Sequence, residues 1–469
     1  MVTVRKISCL VFFSMLVWFG GVLAKEVPAK AVPAQETIAT VEKTSSTKTN
    51  KFFNLFSGSF LNRYRLRSTG GVSDHDADTL LTLNIGDSSY QKVTGALQTG
   101  YHFELNGDQG APLNSIYDTF DSRAVGRFYY GYANIQKVGL FEQARVGRQY
   151  KYDFESLYFD GVSVESNPYY GIRLSTYAGI PVHLFENQFG WNEGDWLVGS
   201  ALSWTPIKQI RVRFDQVHLK DNAAAFRMSQ ADQEDDLFGG TLWVDILKNW
   251  DAAARFTSFS DQTRDLTLES KLRFAKQDLR IGMKVFRLLE GYDIRVPELD
   301  TYSIAGTYKP FTEYAINATK GLGKHFFLDG GFNWRKLDDS QTASAFNHGY
   351  KRGFLSVTSS DIPVKNLSLT ATGDYYHGED NDLSDNYFGG SFSALQSFFK
   401  KRLILSGGTA YYLYRFNFAT GSESNDVQTY FAKVEGKLTK ELKAKTSYEF
   451  EHNDINSFHT FNLGLIWDF

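Results

Sequence analysis

Glu441–Glu451 reads ELKAKTSYEFE, and it divides by parity: Leu442, Ala444, Thr446, Tyr448 and Phe450 fall on one side, and Glu441, Lys443, Lys445, Ser447, Glu449 and Glu451 on the other. Successive side chains of a strand point to opposite faces, so alternation with period two describes a strand between two environments. One is apolar and the other aqueous. A soluble antiparallel sheet with one face on a core produces the same pattern, so its recurrence and the rest of the chain must choose between core and lipid.

The pattern recurs with consistent facing. Leu266, Leu268, Leu272 and Phe274 alternate with Thr267, Glu269, Lys271 and Arg273; Leu279, Ile281, Met283 and Val285 with Arg280, Gly282 and Lys284; Ile210, Val212 and Phe214 with Arg211, Arg213 and Asp215. A soluble sandwich or propeller also alternates, but its wet face would rarely repeat arginine so often at one depth. A short phrase, one or two apolar residues followed by lysine and a new alternating run, marks turns at Lys137, Lys208, Lys248, Lys276, Lys324, Lys365, Lys401 and Lys440, with a further turn in ESNPYY, Glu165–Tyr170. Between these turns lie longer polar stretches, among them GDQGAPLNS, ENQFGWNEG, KDNAAAFRMSQADQED, LDDSQTASAFN and GEDNDLSD. Short turns at one end and longer acidic or Gly/Asn-rich loops at the other match the asymmetry of outer-membrane barrels. The expected fold is therefore all-β: a transmembrane antiparallel β-barrel of about 22 strands, within a range of roughly 18 to 24, with both ends periplasmic.

Composition agrees. The chain holds 39 Phe, 26 Tyr and 8 Trp, yet beyond residue 24 no apolar stretch is long enough to cross a membrane as a helix, which needs about 20 residues. At the N-terminus, Arg5 and Lys6 precede the apolar run ISCLVFFSMLVWFGGVLA, which exits through Val22-Leu23-Ala24, so residues 1–24 read as a cleaved signal peptide, with a retained anchor as the alternative. Residues 25–51, rich in Pro, Ala, Lys, Thr and Glu, cannot bury enough apolar surface to offset ordering and read as a disordered periplasmic leader. The barrel occupies 52–469. Loss of Arg5 and Lys6 takes the formal charge from −3 to −5, which argues against a nucleic-acid partner. The single cysteine, Cys9, leaves with the signal, so the exported chain has no disulfide, thiolate metal site, lipid-anchored cysteine or CxxCH haem attachment.

FNLGLIWDF, Phe461–Phe469, places Phe461, Leu463, Leu465, Trp467 and Phe469 on one face and ends on phenylalanine. It resembles the C-terminal strand of Gram-negative outer-membrane barrels, and the resemblance implies that Trp467 and Phe469 form the signal read by the barrel assembly machinery. RVGRQ (Arg145–Gln149) and YFDGV (Tyr158–Val162) resemble the GRQ and fDG phrases of alginate-export-type porins. Over those twenty or so residues the resemblance implies adjacent strands and an arginine lining a pore. The bland reading of Gly147 and Gly161 is relief of strand curvature.

Enzyme chemistry finds little support. The nine His show no HxxxH spacing, Asp74-His75-Asp76 reads as a solvated loop, and the Gly pairs read as strand ends. No catalytic, cofactor-binding or metal-ligating residues are assigned, and no cofactor is expected. The informative group is basic. Alternation turns Arg63, Arg65, Arg67, Arg127, Arg173, Arg211, Arg213, Arg255, Lys271, Arg273, Arg280, Lys284, Arg335, Lys443 and Lys445 inward, against fewer acids: Asp215, Glu269, Asp329 and Glu449. Arginine at the bilayer midplane costs roughly 2 to 4 kcal/mol, so these residues face water or a partner. Mutual pairing that merely fills the lumen is the structural alternative.

A barrel of this width is usually plugged, yet the leader is too short to form a covalent plug and the outer loops are too short for one large constriction. Two functions fit. The first is an outer-membrane porin-like channel for passive passage of small, anionic or sugar-like solutes, embedded in outer-membrane lipid. The second is a sheath, resembling the barrel of porin–cytochrome electron conduits, that would hold a periplasmic multihaem cytochrome.

Overall fold

Gly70 and Gly71 turn the chain with φ of 55° and 85°, a region that glycine enters without steric cost. From this turn diverge β1 (Phe56–Thr69) and β2 (Val72–Ile85), paired one to one from Thr69 on Val72 to Phe56 on Ile85. The computed structural model describes residues 55–87, 89, 91–106, 113, 122–152, 156–182, 194–220, 234–259, 262–290, 292–293, 307–340, 348–379, 386–417 and 422–469. The expected signal peptide and leader fall outside these residues, as do most of the long polar stretches.

The strands that follow are β3 (Val93–Glu104), β4 (Ala124–Val138), β5 (Phe141–Tyr152), β6 (Ser156–Ser166), β7 (Ile172–Pro181), β8 (Trp196–Ile207), β9 (Ile210–Lys220), β10 (Glu234–Leu247), β11 (Trp250–Phe259), β12 (Gln262–Phe274) and β13 (Leu279–Leu288). A two-residue pair, β14 (Tyr292–Asp293) with β15 (Thr307–Tyr308), stands outside the main sheet. The sheet resumes with β16 (Phe311–Leu322), β17 (Phe326–Leu337), β18 (Tyr350–Ser360), β19 (Leu367–Gly378), β20 (Asn386–Phe398), β21 (Leu403–Asn417), β22 (Ser422–Lys437), β23 (Leu442–His452) and β24 (Ser457–Asp468).

Each strand of the 22-stranded sheet pairs antiparallel with its sequence neighbours, and β24 pairs back on β1. The barrel is closed, and closure leaves no unpaired edge in a medium that cannot satisfy one. At the seam, Ser59 faces Asp468, while the amides of Gly58 and Phe469 donate to each other's carbonyls at 2.8 and 3.0 Å. At about 4.8 Å between strands tilted by about 40°, 22 strands give a circumference of roughly 140 Å and a backbone diameter of about 45 Å.

Directly paired residues share a face, so the register can be followed around the wall. Starting from Arg63, Arg65 and Arg67, it passes through Asp78, Asp76 and Asp74 on β2 and His102 and Glu104 on β3. It continues through Arg213 and Asp215 on β9, Lys271 and Arg273 on β12, and Glu313 on β16 opposite Arg335 on β17. From Lys445 and Ser447 on β23 it reaches Gly464 and Asn462 on β24, and these face Arg63 and Arg65 again. One face is polar all the way round. The opposite face carries exposed Val198, Leu202, Phe214, Ile316, Phe332 and Leu465, an apolar area far too large for a protein bathed in water.

β8 measures the apolar band. Trp196 and Trp204 both lie on the apolar face, 40% and 47% exposed, with Val198 and Leu202 between them. Eight residues of tilted strand rise roughly 20 Å along the barrel axis, close to the lipid-facing band of about 25 Å with aromatic girdles at its borders. Beyond this band the same face turns polar. His218 stacks on Trp196 at 4.6 Å and hydrogen-bonds Asp236, and Tyr64 hydrogen-bonds His75 at 2.6 Å.

All eight lysine phrases and the Asn167–Gly171 turn lie at one rim, where connections such as 139–140, 208–209, 248–249 and 323–325 are short and where both β1 begins and β24 ends. The opposite rim holds the longer connections, 105–123, 182–195, 221–233 and 289–310. Among the described residues no helix is long and apolar enough to cross a membrane, and strands make the crossing.

Candidate functional site

Arg127, Arg173, Arg211, Arg213, Arg255, Lys271, Arg273, Arg280, Lys284, Arg335, Lys443 and Lys445 all fall on the polar face by register. Acids are more abundant on that face than the sequence tally suggested. Arg173 pairs with Glu165 at 2.7 Å, Arg213 with Asp215 at 2.8 Å, Arg273 with Asp251 at 2.8 Å and Arg335 with Glu313 at 2.9 Å. Lys443 reaches Asp468 at 2.5 Å, Lys445 Glu435 at 3.3 Å, Lys271 Glu269 at 3.6 Å and Arg255 Asp265 at 3.9 Å. The tally missed Glu165, Asp251, Asp265, Glu313, Glu435 and Asp468 because each stands near a strand end or on a neighbouring strand, where alternation read one segment at a time does not reach.

Two basic groups are disposed differently. Arg211 lies over the Trp243 ring at 3.9 Å to the centroid, a cation–π geometry. Arg280 is exposed and directly opposite Arg273. With Lys284, and with Lys271 and Arg273 that keep their acids, these residues form an arc of net positive charge on β9, β12 and β13, towards the short-turn rim.

The densest part of the face is a ladder on the first hairpin. Arg63 holds Asp78 at 2.7 Å, Arg65 holds Asp76 and Arg67 holds Asp74. Each guanidinium uses Nε and Nη2 on one carboxylate oxygen. The reading of Asp74-His75-Asp76 as a solvated loop is corrected: the three residues lie within β2, with Asp74 and Asp76 at 3% and 0% exposure. The signal was present as R-x-R-x-R and D-x-D-x-D symmetric about the Gly70-Gly71 turn, which makes the two runs meet side by side. His102 and Glu104, two apart on β3, join the same face.

The GRQ and fDG phrases are adjacent as their resemblance implies, with Gly147 on Gly161 and Arg148 on Asp160. Gly147 has φ of 125°, and a Cβ there would lie 2.2 Å from the Gly131 carbonyl oxygen, so glycine is required by conformation and close approach. The implied pore arginine differs. Arg148 shares its register with exposed Val146 and Val162, is 7% exposed, and is clamped by Asp160 at 2.7 and 2.8 Å beneath Phe128 and Tyr158. Arg145, over Tyr132 at 4.1 Å, is the arginine of that phrase on the polar face.

Towards the long-loop rim the polar-face register becomes apolar. Leu157, Phe159, Tyr177, Leu197, Val217, Leu219, Leu237 and Phe259 form one buried cluster there, and Leu288, Phe311 and Leu337 another. Alternation alone misses this change, because Val217 and Leu219 follow Arg213 and Asp215 on one side of the same strand.

No protein-family model matches the sequence, and no curated protein does. Among solved structures, the P pilus usher (PapC) translocation pore is similar at a TM-score of 0.51 and 9% identity, over 88% of this chain and 99% of that one. A BenF-like porin from Pseudomonas fluorescens Pf-5 is similar at a TM-score of 0.45 and 11% identity, over 88% and 98%. OccK11 (OpdR) of Pseudomonas aeruginosa is similar at 0.40 and 11%, over 88% and 95%. The fold is a closed antiparallel β-barrel like that of the usher pore.

Proposed function

We propose that the protein is an outer-membrane channel through which small solutes pass passively, with the polar face lining its water-filled lumen. The single observation that carries this reading is the closed register, which keeps one face rich in charged and polar side chains around 22 strands while the other face stays apolar. Charged side chains are tolerated in such numbers only against water, and that exposed apolar face only against hydrocarbon. The apolar clusters at the long-loop rim narrow the aqueous path at that end. The arc of Arg211, Lys271, Arg273, Arg280 and Lys284 biases the other end towards anionic or sugar-like solutes. Its field reaches about a Debye length, roughly 8 Å at physiological salt. Because most arginines elsewhere are paired, this bias is local and modest.

Conductance in a planar bilayer tests the reading. A discrete, stable conductance with anion preference in dilute salt is expected, and replacing Arg211, Arg213, Arg273 and Arg280 together by Gln should move the preference towards cations, an effect that fades as salt rises. A barrel without any discrete conductance would overturn the channel.

The sheath around a periplasmic multihaem cytochrome is the second reading. What favours it is the lumen's width together with the exposed lysines at the short-turn rim, Lys137, Lys208, Lys248, Lys276, Lys324, Lys365, Lys401 and Lys440, which suit an acidic partner docking there. Co-purification of a haem-containing partner, with no channel in its absence, is the outcome that would select it.

A further inference from the structure

We infer that Asp76, His102 and Glu104 form a binding site for one divalent transition-metal ion, with Zn2+ as the type, on the polar face where β2 meets β3. One ligand atom from each lies within 4.8 Å of the others. His102 Nε2 stands 3.5 Å from Asp76 Oδ1 and 3.9 Å from Glu104 Oε2. A tetrahedral ion with bonds of about 2.0 to 2.1 Å needs ligand atoms about 3.3 to 3.4 Å apart, so small side-chain rotations complete the site.

Three features mark the cluster as a site. First, the arginines are already committed. Arg63, Arg65 and Arg67 each hold one aspartate, and Arg65 takes only Oδ2 of Asp76. Glu104 is a fourth carboxylate for which the ladder offers no guanidinium. Second, Asp76 Oδ1 and both oxygens of Glu104 are buried without a hydrogen-bond donor among the described residues, on side chains 0% and 9% exposed. Buried carboxylate oxygens in this condition carry a large desolvation cost unless a cation or a shared proton meets them, and a metal ion meets all three at once. Third, Nδ1 of His102 lies 2.7 Å from Asp78 Oδ1, and Asp78 is itself fixed by Arg63. A carboxylate behind a histidine sets the tautomer that presents Nε2 as a lone pair and raises its basicity, as around metal-ligating histidines generally. A mixed imidazole and carboxylate set suits Zn2+ and its first-row neighbours over Mg2+ or Ca2+, which prefer all-oxygen shells. The ion would tie β2 to β3 beside the arginine ladder. This adds a site to a chain in which no metal ligand was expected, because His102-x-Glu104 alone is no metal signature and its third partner, Asp76, comes from the neighbouring strand.

The test uses the full barrel refolded in detergent, stripped with a chelator and titrated with Zn2+, with the Co2+ visible absorption band as an independent readout. One ion per barrel is expected, and Glu104→Gln and His102→Gln should each weaken binding at least tenfold while retaining the heat-modifiable mobility of a folded barrel. Asp78→Asn keeps all three ligands and should lower affinity by about 10- to 100-fold with stoichiometry unchanged. Absence of Zn2+ binding by the wild type, or binding undiminished in Glu104→Gln and His102→Gln, overturns the proposal. Neither result depends on whether the barrel conducts.

Discussion

Ile316 and Asn317 are neighbours near the middle of β16, and the barrel assigns them opposite solvents. Ile316 pairs with Met283 and Phe332 on the apolar face and is 46% exposed, whereas Asn317 pairs with Gly282 and Gly331 on the polar face. Arginine at Ile316 would sit close to the bilayer midplane, where the cost is about 2 to 4 kcal/mol. That corresponds to a loss of roughly 30- to 1,000-fold in the folding equilibrium. Arginine at Asn317 keeps its charge in water, next to two glycines that leave room for it, and a solvated substitution of this kind shifts stability by about 0.5 kcal/mol at most. The assay is equilibrium urea unfolding of each variant refolded into phosphatidylcholine bilayers, followed by tryptophan fluorescence, with the midpoint as the readout. A fall in the midpoint for Ile316→Arg beside an unchanged Asn317→Arg is expected. Equal losses at the two positions would refute the two-solvent assignment, and with it the lumen and the channel.

The same logic extends to chemistry, closure and the ladder. Cysteines introduced at Lys443 or Lys445 should react with small water-soluble thiol reagents in the folded barrel while those at Ala444 or Tyr448 should not; labelling without regard to parity would contradict the register of β23. Arg65→Gln leaves the fully buried Asp76 carboxylate without its cation and should cost about 3 to 5 kcal/mol, most of which the double variant Arg65→Gln/Asp76→Asn should restore; a double variant as unstable as the single one would remove the ladder from the account. Deleting Phe469, whose amide and carbonyl close the seam on Gly58, should sharply lower the amount of heat-modifiable barrel in the outer membrane without impairing export, and unchanged levels would count against its role in assembly. Gly147→Ala places a Cβ against the Gly131 carbonyl in a left-handed backbone and should destabilise by about 1 to 3 kcal/mol, read as a lower urea midpoint.

The sequence by itself determined the fold class, a strand number near 22 and the parity of the clearly alternating strands, because a wall one residue thick between lipid and water writes its two solvents directly into every second side chain. Turn positions were legible for a related reason. The lysine phrases mark the points where the chain leaves the hydrocarbon, and all of them fall at one rim. Partnership was not legible, since alternation states which way a side chain points and is silent on which strand lies beside it. Only the register brings Asp251 to Arg273, Glu313 to Arg335 and Glu435 to Lys445, turning an apparent surplus of positive charge into a largely paired wall with one basic arc. The same holds for Arg148, which a motif suggests for the pore and which its parity on β5 turns to the other face, where Asp160 on the neighbouring strand holds it. It holds most fully for Asp76, His102 and Glu104. Their carboxylates and imidazole stand on two strands separated by the turn between β2 and β3, and they meet because the pairing of those strands, about 4.8 Å apart, sets Asp76 opposite Glu104 and Asp78 opposite His102.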